Sequence, residues 1–131
     1  EICAIINKGK CTKLVLARND LADEAAHKIA EAMKTNTSIE FLSIAGNKIT
    51  NKGAEAFLDM IIVNKTLKNF FLSDNRLTDE MDDRLWDANS KRENPMSENL
   101  YGLVLNNKSP DQREKIAARK ERENAKKTTR A

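Results

Sequence analysis

Few residues of this 131-residue chain could do chemistry, and they are scattered. There is one histidine, His27, and there are two cysteines, Cys3 and Cys11. A hydrolytic site of the usual kind needs a nucleophile beside a base and a third group to orient that base. No plausible set of three exists around His27. No glycine-rich loop that could cradle a phosphate occurs, and no His/Cys cluster has metal-ligand spacing. The run Asp79, Glu80, Asp82, Asp83 and Asp87 could attract a divalent cation. It lacks the alternating spacing of a calcium loop and falls on a predicted helix, where such a run is a solvated face. Asn-x-Ser/Thr triplets begin at Asn36, Asn64 and Asn107, and such triplets can accept a glycan in a secreted loop. The first two occupy equivalent places just before a predicted strand, which argues for a turn instead. The expectation is a protein that is not an enzyme, with no cofactor and no metal.

One polar residue does recur at fixed spacing. Asn19, Asn47 and Asn75 are 28 residues apart. Each closes a copy of one pattern: Leu14-Val15-Leu16-Ala17-Arg18-Asn19-Asp20-Leu21, then Leu42-Ser43-Ile44-Ala45-Gly46-Asn47-Lys48-Ile49, then Phe70-Phe71-Leu72-Ser73-Asp74-Asn75-Arg76-Leu77. The match extends further. Ile29, Phe57 and Leu85 align, as do Ala26, Ala54 and Asp82, and Ala30, Leu58 and Trp86. Two periods alternate inside each unit. Leu42 and Ile44 are two apart, as in a strand with one buried face, while Ala54, Phe57, Leu58 and Ile61 lie on one face of a helix. A fixed period of this length is the mark of a solenoid.

This pattern resembles the leucine-rich repeats of the ribonuclease-inhibitor-like subclass. The resemblance covers residues 1–107 as a partial repeat (1–13), three repeats (14–40, 41–68, 69–99) and a terminal strand (100–107). It implies an α/β fold: a right-handed solenoid with a parallel sheet on the concave face and helices outside. Right-handed crossovers are also the general rule for parallel strands. Under this reading the asparagines have a structural role. After each strand the chain turns away and leaves backbone groups unpaired, and a buried amide can both donate and accept. Asn19, Asn47 and Asn75 are therefore expected to stack as a ladder, which ends where Lys108 takes the equivalent place.

The chain opens inside a helix with no polar cap, so upstream residues or a partner are expected to cover that end. Cys11 aligns with Ile39 and Leu67 and should be buried, while Cys3 should face outward, which leaves no support for a disulfide. His27 should be solvated. Thr50 is a candidate N-cap, and Gly53 permits close packing. Five extra residues enter around 91–97. Ser109-Pro110-Asp111-Gln112 then combines an N-cap, proline at the first helical position and Gln at N3, a strong helix start.

Residues 108–131 form a basic C-terminal helix or tail. They hold nine Lys/Arg against four Asp/Glu, a net of +5. The preceding 107 residues hold fourteen against sixteen, a net of −2. Such a tail could seek an acidic surface, or be a solvated helix laced with i,i+4 pairs. Nucleic acid is not expected as a partner, because the tail has no aromatic residue for stacking. No apolar run is long enough to span a membrane and no signal peptide is visible. Two cysteines in that context point to a reducing, cytoplasmic setting.

The concave face carries the functional expectation. Residues between the core positions point out of the sheet. One column is Val15, Ser43, Phe71 and Val104, and its neighbour is Lys13, Phe41, Asn69 and Gly102. Two phenylalanines on an exposed sheet face call for a cover. Exposed apolar patches mark binding sites and aromatics are favoured anchors. The partner-binding candidates are therefore Lys13, Val15, Phe41, Ser43, Asn69, Phe71 and Val104, with the basic tail as a second surface. The intramolecular alternative is that residues 91–97, or an expected upstream segment, fold over the face. The chain reads as an interaction scaffold or assembly subunit. Resemblance to tropomodulin-like actin regulators and to subunits of ciliary assemblies suggests a cytoskeletal or ciliary place. Two alternatives come from the same repeat type. One is a GTPase-activating protein of the Ran type, with Arg18 or Arg76 in the post-strand loops. The other is a fragment of an innate-immune receptor.

Overall fold

The structure is a computed structural model, and it describes residues 2–97 and 102–129. In chain order the elements are α1 (Ile2–Asn7), β1 (Lys13–Val15), α2 (Asp23–Thr35), β2 (Phe41–Ser43), α3 (Asn51–Val63), β3 (Asn69–Phe71), α4 (Asp79–Ser90), β4 (Leu103–Val104) and α5 (Pro110–Thr129). The four strands form one sheet in sequence order, with every pair parallel. This is the parallel α/β architecture expected of a repeat solenoid. The start of the expected terminal strand, at residues 100 and 101, lies outside the described residues.

The sequence period becomes strand register. Leu14 pairs with Leu42, Leu42 with Phe70, and Phe70 with Leu103. All four are buried against the helices. Beneath them lie Ile29, Phe57 and Leu85, one from each crossover helix and each at most 1% exposed. Phe57 meets Phe70 edge-on, with centroids 5.1 Å apart. Each such side chain contributes about 1.5–3 kcal/mol by leaving water. One repeat cannot enclose this row, so neighbouring repeats must stack to bury it. Gly53 sets the spacing between α2 and α3. A Cβ there would lie 2.6 Å from Asp23 Oδ1 and 3.0 Å from Ala26 Cβ.

The two ends differ from this regular middle. At the first, Cys11 is only partly buried, because β1 is an outer strand of the sheet. Cys3 is half-buried rather than outward, with its Sγ toward Lys28 O at 3.5 Å. Both thiols are free. At the other end, Phe70 pairs with Leu103, five residues beyond the 28-residue period. Asn89 closes the intervening loop by exchanging hydrogen bonds with Met96, donating to its carbonyl at 3.0 Å and accepting from its N–H at 2.8 Å. Met96 is thereby driven into the core.

α5 begins with the reciprocal box read from Ser109 and Gln112. The Gln112 N–H donates to Ser109 Oγ and the Ser109 N–H to Gln112 Oε1, both at 3.2 Å. Ile116 and Ala118 are half-buried, and residues 119–125 are exposed. Thr50 departs from the expected capping role. It is the N-cap residue of α3, yet its side chain makes no cap bond. Its hydroxyl donates instead to Asp23 Oδ2 at 2.6 Å, and its N–H to Asp23 Oδ1 at 2.7 Å. No helix among the described residues is long and apolar enough to cross a membrane.

Candidate partner-binding surface

Parallel pairing sets Lys13 beside Phe41 and Phe41 beside Asn69, and in the next row Val15 beside Ser43 and Ser43 beside Phe71. Phe71 in turn pairs with Val104. Phe41 and Phe71 are diagonal neighbours, and their rings touch with centroids 4.9 Å apart and planes inclined by 56°. Lys13 Nζ stands over the Phe41 ring, 4.7 Å from its centre. Aromatic faces attract cations, so one edge of the patch carries a fixed positive charge.

Exposure is uneven across these residues. Val15 is 54% exposed and Lys13 is exposed. Phe41, Asn69, Phe71 and Val104 are half-buried. Ser43 is buried at 5% exposure, contrary to its expected place on an open face. Its side chain is the shortest in its row and lies between Val15 and Phe71. Asn69 is engaged too, its Oδ1 accepting from the Gly102 N–H at 2.9 Å. The patch is therefore a phenylalanine pair flanked by Lys13 and Val15, rather than seven equal contacts.

The asparagines lie behind this face. Asn47 Nδ2 donates to Leu16 O at 3.1 Å and Ile44 O at 2.8 Å, while its Oδ1 accepts from the N–H groups of Asn19 and Leu21, both at 2.9 Å. Asn75 repeats the arrangement on Ile44 O and Leu72 O, and accepts from Ile49 N–H. Each amide thus ties its own strand end to the preceding one. Asn19 differs. It is exposed and its side chain donates to Ala17 O, because among the described residues no strand precedes β1 to offer it a carbonyl. At the other end, Asn106 rather than Lys108 supplies an amide, its Oδ1 accepting from the Asp74 N–H at 2.8 Å.

A second polar line lies at the opposite end of the strands, where the sequence marked Asn36 and Asn64 as equivalent turn residues but not Arg92. Asn36 and Asn64 follow α2 and α3 and are 7% and 2% exposed. Asn36 Nδ2 donates to Ile6 O and Asn64 Nδ2 to Met33 O, while each Oδ1 accepts the N–H groups that lead into the next strand. Arg92 takes the third place. It is 6% exposed and its guanidinium donates to Ile61 O, Leu67 O and Asn94 O. Burial lowers its pKa from the usual arginine value. The signal was present as the 28-residue spacing from Asn36 through Asn64 to Arg92. The insertion is therefore spent on this strand-entry end. The amides of Asn36 and Asn64 are committed within the fold, which closes both triplets to a glycan.

Asp82 of α4 is buried at 1% exposure, against the expectation of a solvated acidic face, while other charged groups sit nearer the surface. Glu55 and Arg84 pair across α3 and α4, and the guanidinium holds the carboxyl pKa down. Thr50 hydrogen bonds hold Asp23 below the usual carboxylate range. His27 is exposed. Arg18 has a positive φ of 59°. Its Cγ lies 2.8 Å from where a Cβ on Gly46 would be, so its stem is packed in the post-strand turn. No cluster of three or more His, Cys, Asp or Glu able to hold a metal occurs among the described residues.

Comparison with known proteins agrees with this geometry. The family described as "Leucine Rich repeat" matches residues 35–58, the segment running from Thr35 through β2 into α3. Among solved structures, "Leiomodin-1 Actin-Binding Site 2 (ABS2)" superposes with a TM-score of 0.71 at 19% sequence identity. The match covers 81% of this chain and 60% of that one. On its repeated register, its four-stranded parallel sheet and this likeness, the chain is a protein of leucine-rich-repeat fold.

Proposed function

We propose that the chain is a protein-interaction module of the ribonuclease-inhibitor-like repeat subclass, and that it holds its partner on the open sheet face. The observation that carries this is the Phe41–Phe71 pair, in tilted contact at 4.9 Å on a face where Val15 beside it is 54% exposed. A rigid aromatic pair on a sheet is a low-entropy anchor, and aromatic anchors dominate the energetics of small interfaces. Lys13 adds orientation, since a partner carboxylate can reach its ammonium while apolar groups cover the rings. Ser43, Asn69 and Val104 complete the footprint. The mostly exposed α5 offers a second, basic contact. The role is that of a non-catalytic scaffold or assembly subunit in the cytoplasm. The actin-binding name of the leiomodin-1 structure makes the cytoskeleton the first place to look.

The test is affinity capture from a native extract with the intact chain and a Phe41→Glu/Phe71→Glu variant, whose fold is checked by circular dichroism. Co-sedimentation with filamentous actin runs alongside. Loss of a specific protein with the folded variant supports the sheet face as the working surface. Identical captures with both chains would remove it and leave α5 as the surface to dissect.

A further inference from the structure

The connection between the last repeat and α5 is gripped at Asn107. Three α4 side chains on one helical stripe grip Asn107. Asp79 Oδ1 accepts from Asn107 Nδ2 at 2.6 Å, Asp82 Oδ2 accepts from the Asn107 N–H at 3.2 Å, and Trp86 Nε1 donates to Asn107 O at 3.1 Å. Positions 79, 82 and 86 lie one above another on a helix. Two residues further on, Ser109 caps α5, and Arg113 on its first turns pairs with Asp83.

Asp82 is the anomalous member. It stands where the earlier repeats have Ala26 and Ala54, in a slot that is 0% exposed in both. Its own exposure is 1%, and Oδ1 has no hydrogen-bond partner. A buried ionised carboxylate with one weak donor is costly, whereas the protonated acid is not. We propose that Asp82 is a proton-sensitive peg: when it is ionised the grip on Asn107 loosens and α5 swings free, and when it is protonated the grip closes.

The charged groups acting on Asp82 are Asp79 and Asp83 of α4, which oppose ionisation, and Arg113 of α5, which favours it. From α3, Asn51 bonds Thr78 and Glu55 is taken up by Arg84. Desolvation outweighs the Asn107 bond and raises the Asp82 pKa. A raised carboxyl pKa means that the folded junction binds more protons than the open one. Its stability is therefore fully present at low pH and is lost as pH rises through the folded pKa.

The chain contains one tryptophan, Trp86, and it is part of the grip. Its emission maximum and acrylamide quenching, read on the full chain from neutral pH down to the ordinary carboxyl value of 3.8, follow the junction directly. The wild type is expected to shift to the blue and become less quenchable on acidification. Asp82→Asn, a neutral isostere, is expected to sit at the protected values throughout with no pH dependence. Asp82→Ala, which restores the residue type of the other repeats, is expected to be flat with pH. Asp83→Asn removes the Arg113 pair and one of the charges that oppose ionisation of Asp82, so it should keep a pH response displaced to lower pH. The proposal is overturned if Asp82→Asn keeps the wild-type profile, or if the folded wild type shows no change over this range. If Asp82→Asn does not fold, a pH-dependent profile in Asp82→Ala overturns it equally.

Discussion

Arg92 does for the third repeat what Asn64 does for the second. Asn64 Nδ2 donates to Met33 O at 2.7 Å. The Arg92 guanidinium donates to Ile61 O, and both donor and acceptor are displaced by 28 positions. The replacement is chemically incomplete. An amide also accepts, and Asn64 uses its oxygen for the Thr66 and Leu67 N–H groups, whereas a guanidinium has no acceptor. The chain has to turn differently after Arg92, and this is where the insertion begins.

Removing the Arg92 head group should therefore be costly although no ion pair is broken. Arg92→Ala leaves the Ile61 and Leu67 carbonyls buried and unpaired, a penalty of about 1–3 kcal/mol. Arg92→Lys is expected to fall between the two, because one ammonium cannot span both carbonyls. Urea unfolding checks this. A midpoint for Arg92→Ala within error of wild type would contradict the bonding described.

The ladder asparagines should differ among themselves. Asn47→Ala strands two N–H groups and the strand-end carbonyls, costing about 2–4 kcal/mol in sum. Asn19→Ala should change stability by less than about 0.5 kcal/mol, as for surface positions. Equal losses at the two sites, measured by thermal or urea unfolding, would show that the amide acts locally and not between repeats.

The acid limb of stability should belong in part to Asp23. Its pKa is lowered by the Thr50 hydroxyl and N–H. A lowered carboxyl pKa gives stability that is present above the unfolded value of 3.8 and is lost as pH falls through the folded one. Asp23→Asn and Thr50→Val should both be less stable at neutral pH and lose less on acidification. Circular dichroism during acid titration reads this. The sign is opposite to that at Asp82, so the global and local titrations separate.

The phenylalanine pair should contribute little to folding for its size. Both rings are half-buried, so a double-mutant cycle of Phe41→Ala with Phe71→Ala should yield a coupling of about 0.5–1.5 kcal/mol. A coupling indistinguishable from zero, from the four urea curves, would mean that the rings do not touch in solution.

The repeated parts of this molecule were legible because each core position is sampled three times. Leu14, Leu42 and Phe70 announce a buried strand position, and Ile29, Phe57 and Leu85 a buried helix position. The sheet columns followed from alternation alone. What alternation cannot supply is side-chain size within a row, which is why Ser43 is covered by its neighbours. Nor does it tell an asparagine with a preceding partner from one without, which separates Asn19 from Asn47. Thr50 misled because its sequence environment is that of a helix cap. Its real partner, Asp23, is one repeat away, where only the stacked structure brings it. Arg92 was hidden by chemistry: the 28-residue spacing from Asn36 and Asn64 marks its position, but the residue type there is not one that suggests an amide's role.

Between β1 and β3 every paired strand position, and every asparagine joint, reaches back to the same place one unit earlier. Copy number is therefore editable. Excising residues 42–69 would bring Phe70 opposite Leu14 and offer Asn75 the carbonyl of Leu16 in place of that of Ile44, so the shortened chain should still unfold in a single cooperative step by circular dichroism. An excision of any other length would leave amides facing the wrong atoms. Length in such a chain varies by whole units, and the five-residue offset between Phe70 and Leu103 falls at the step from β3 to β4, after the last in-register pairing among the described residues.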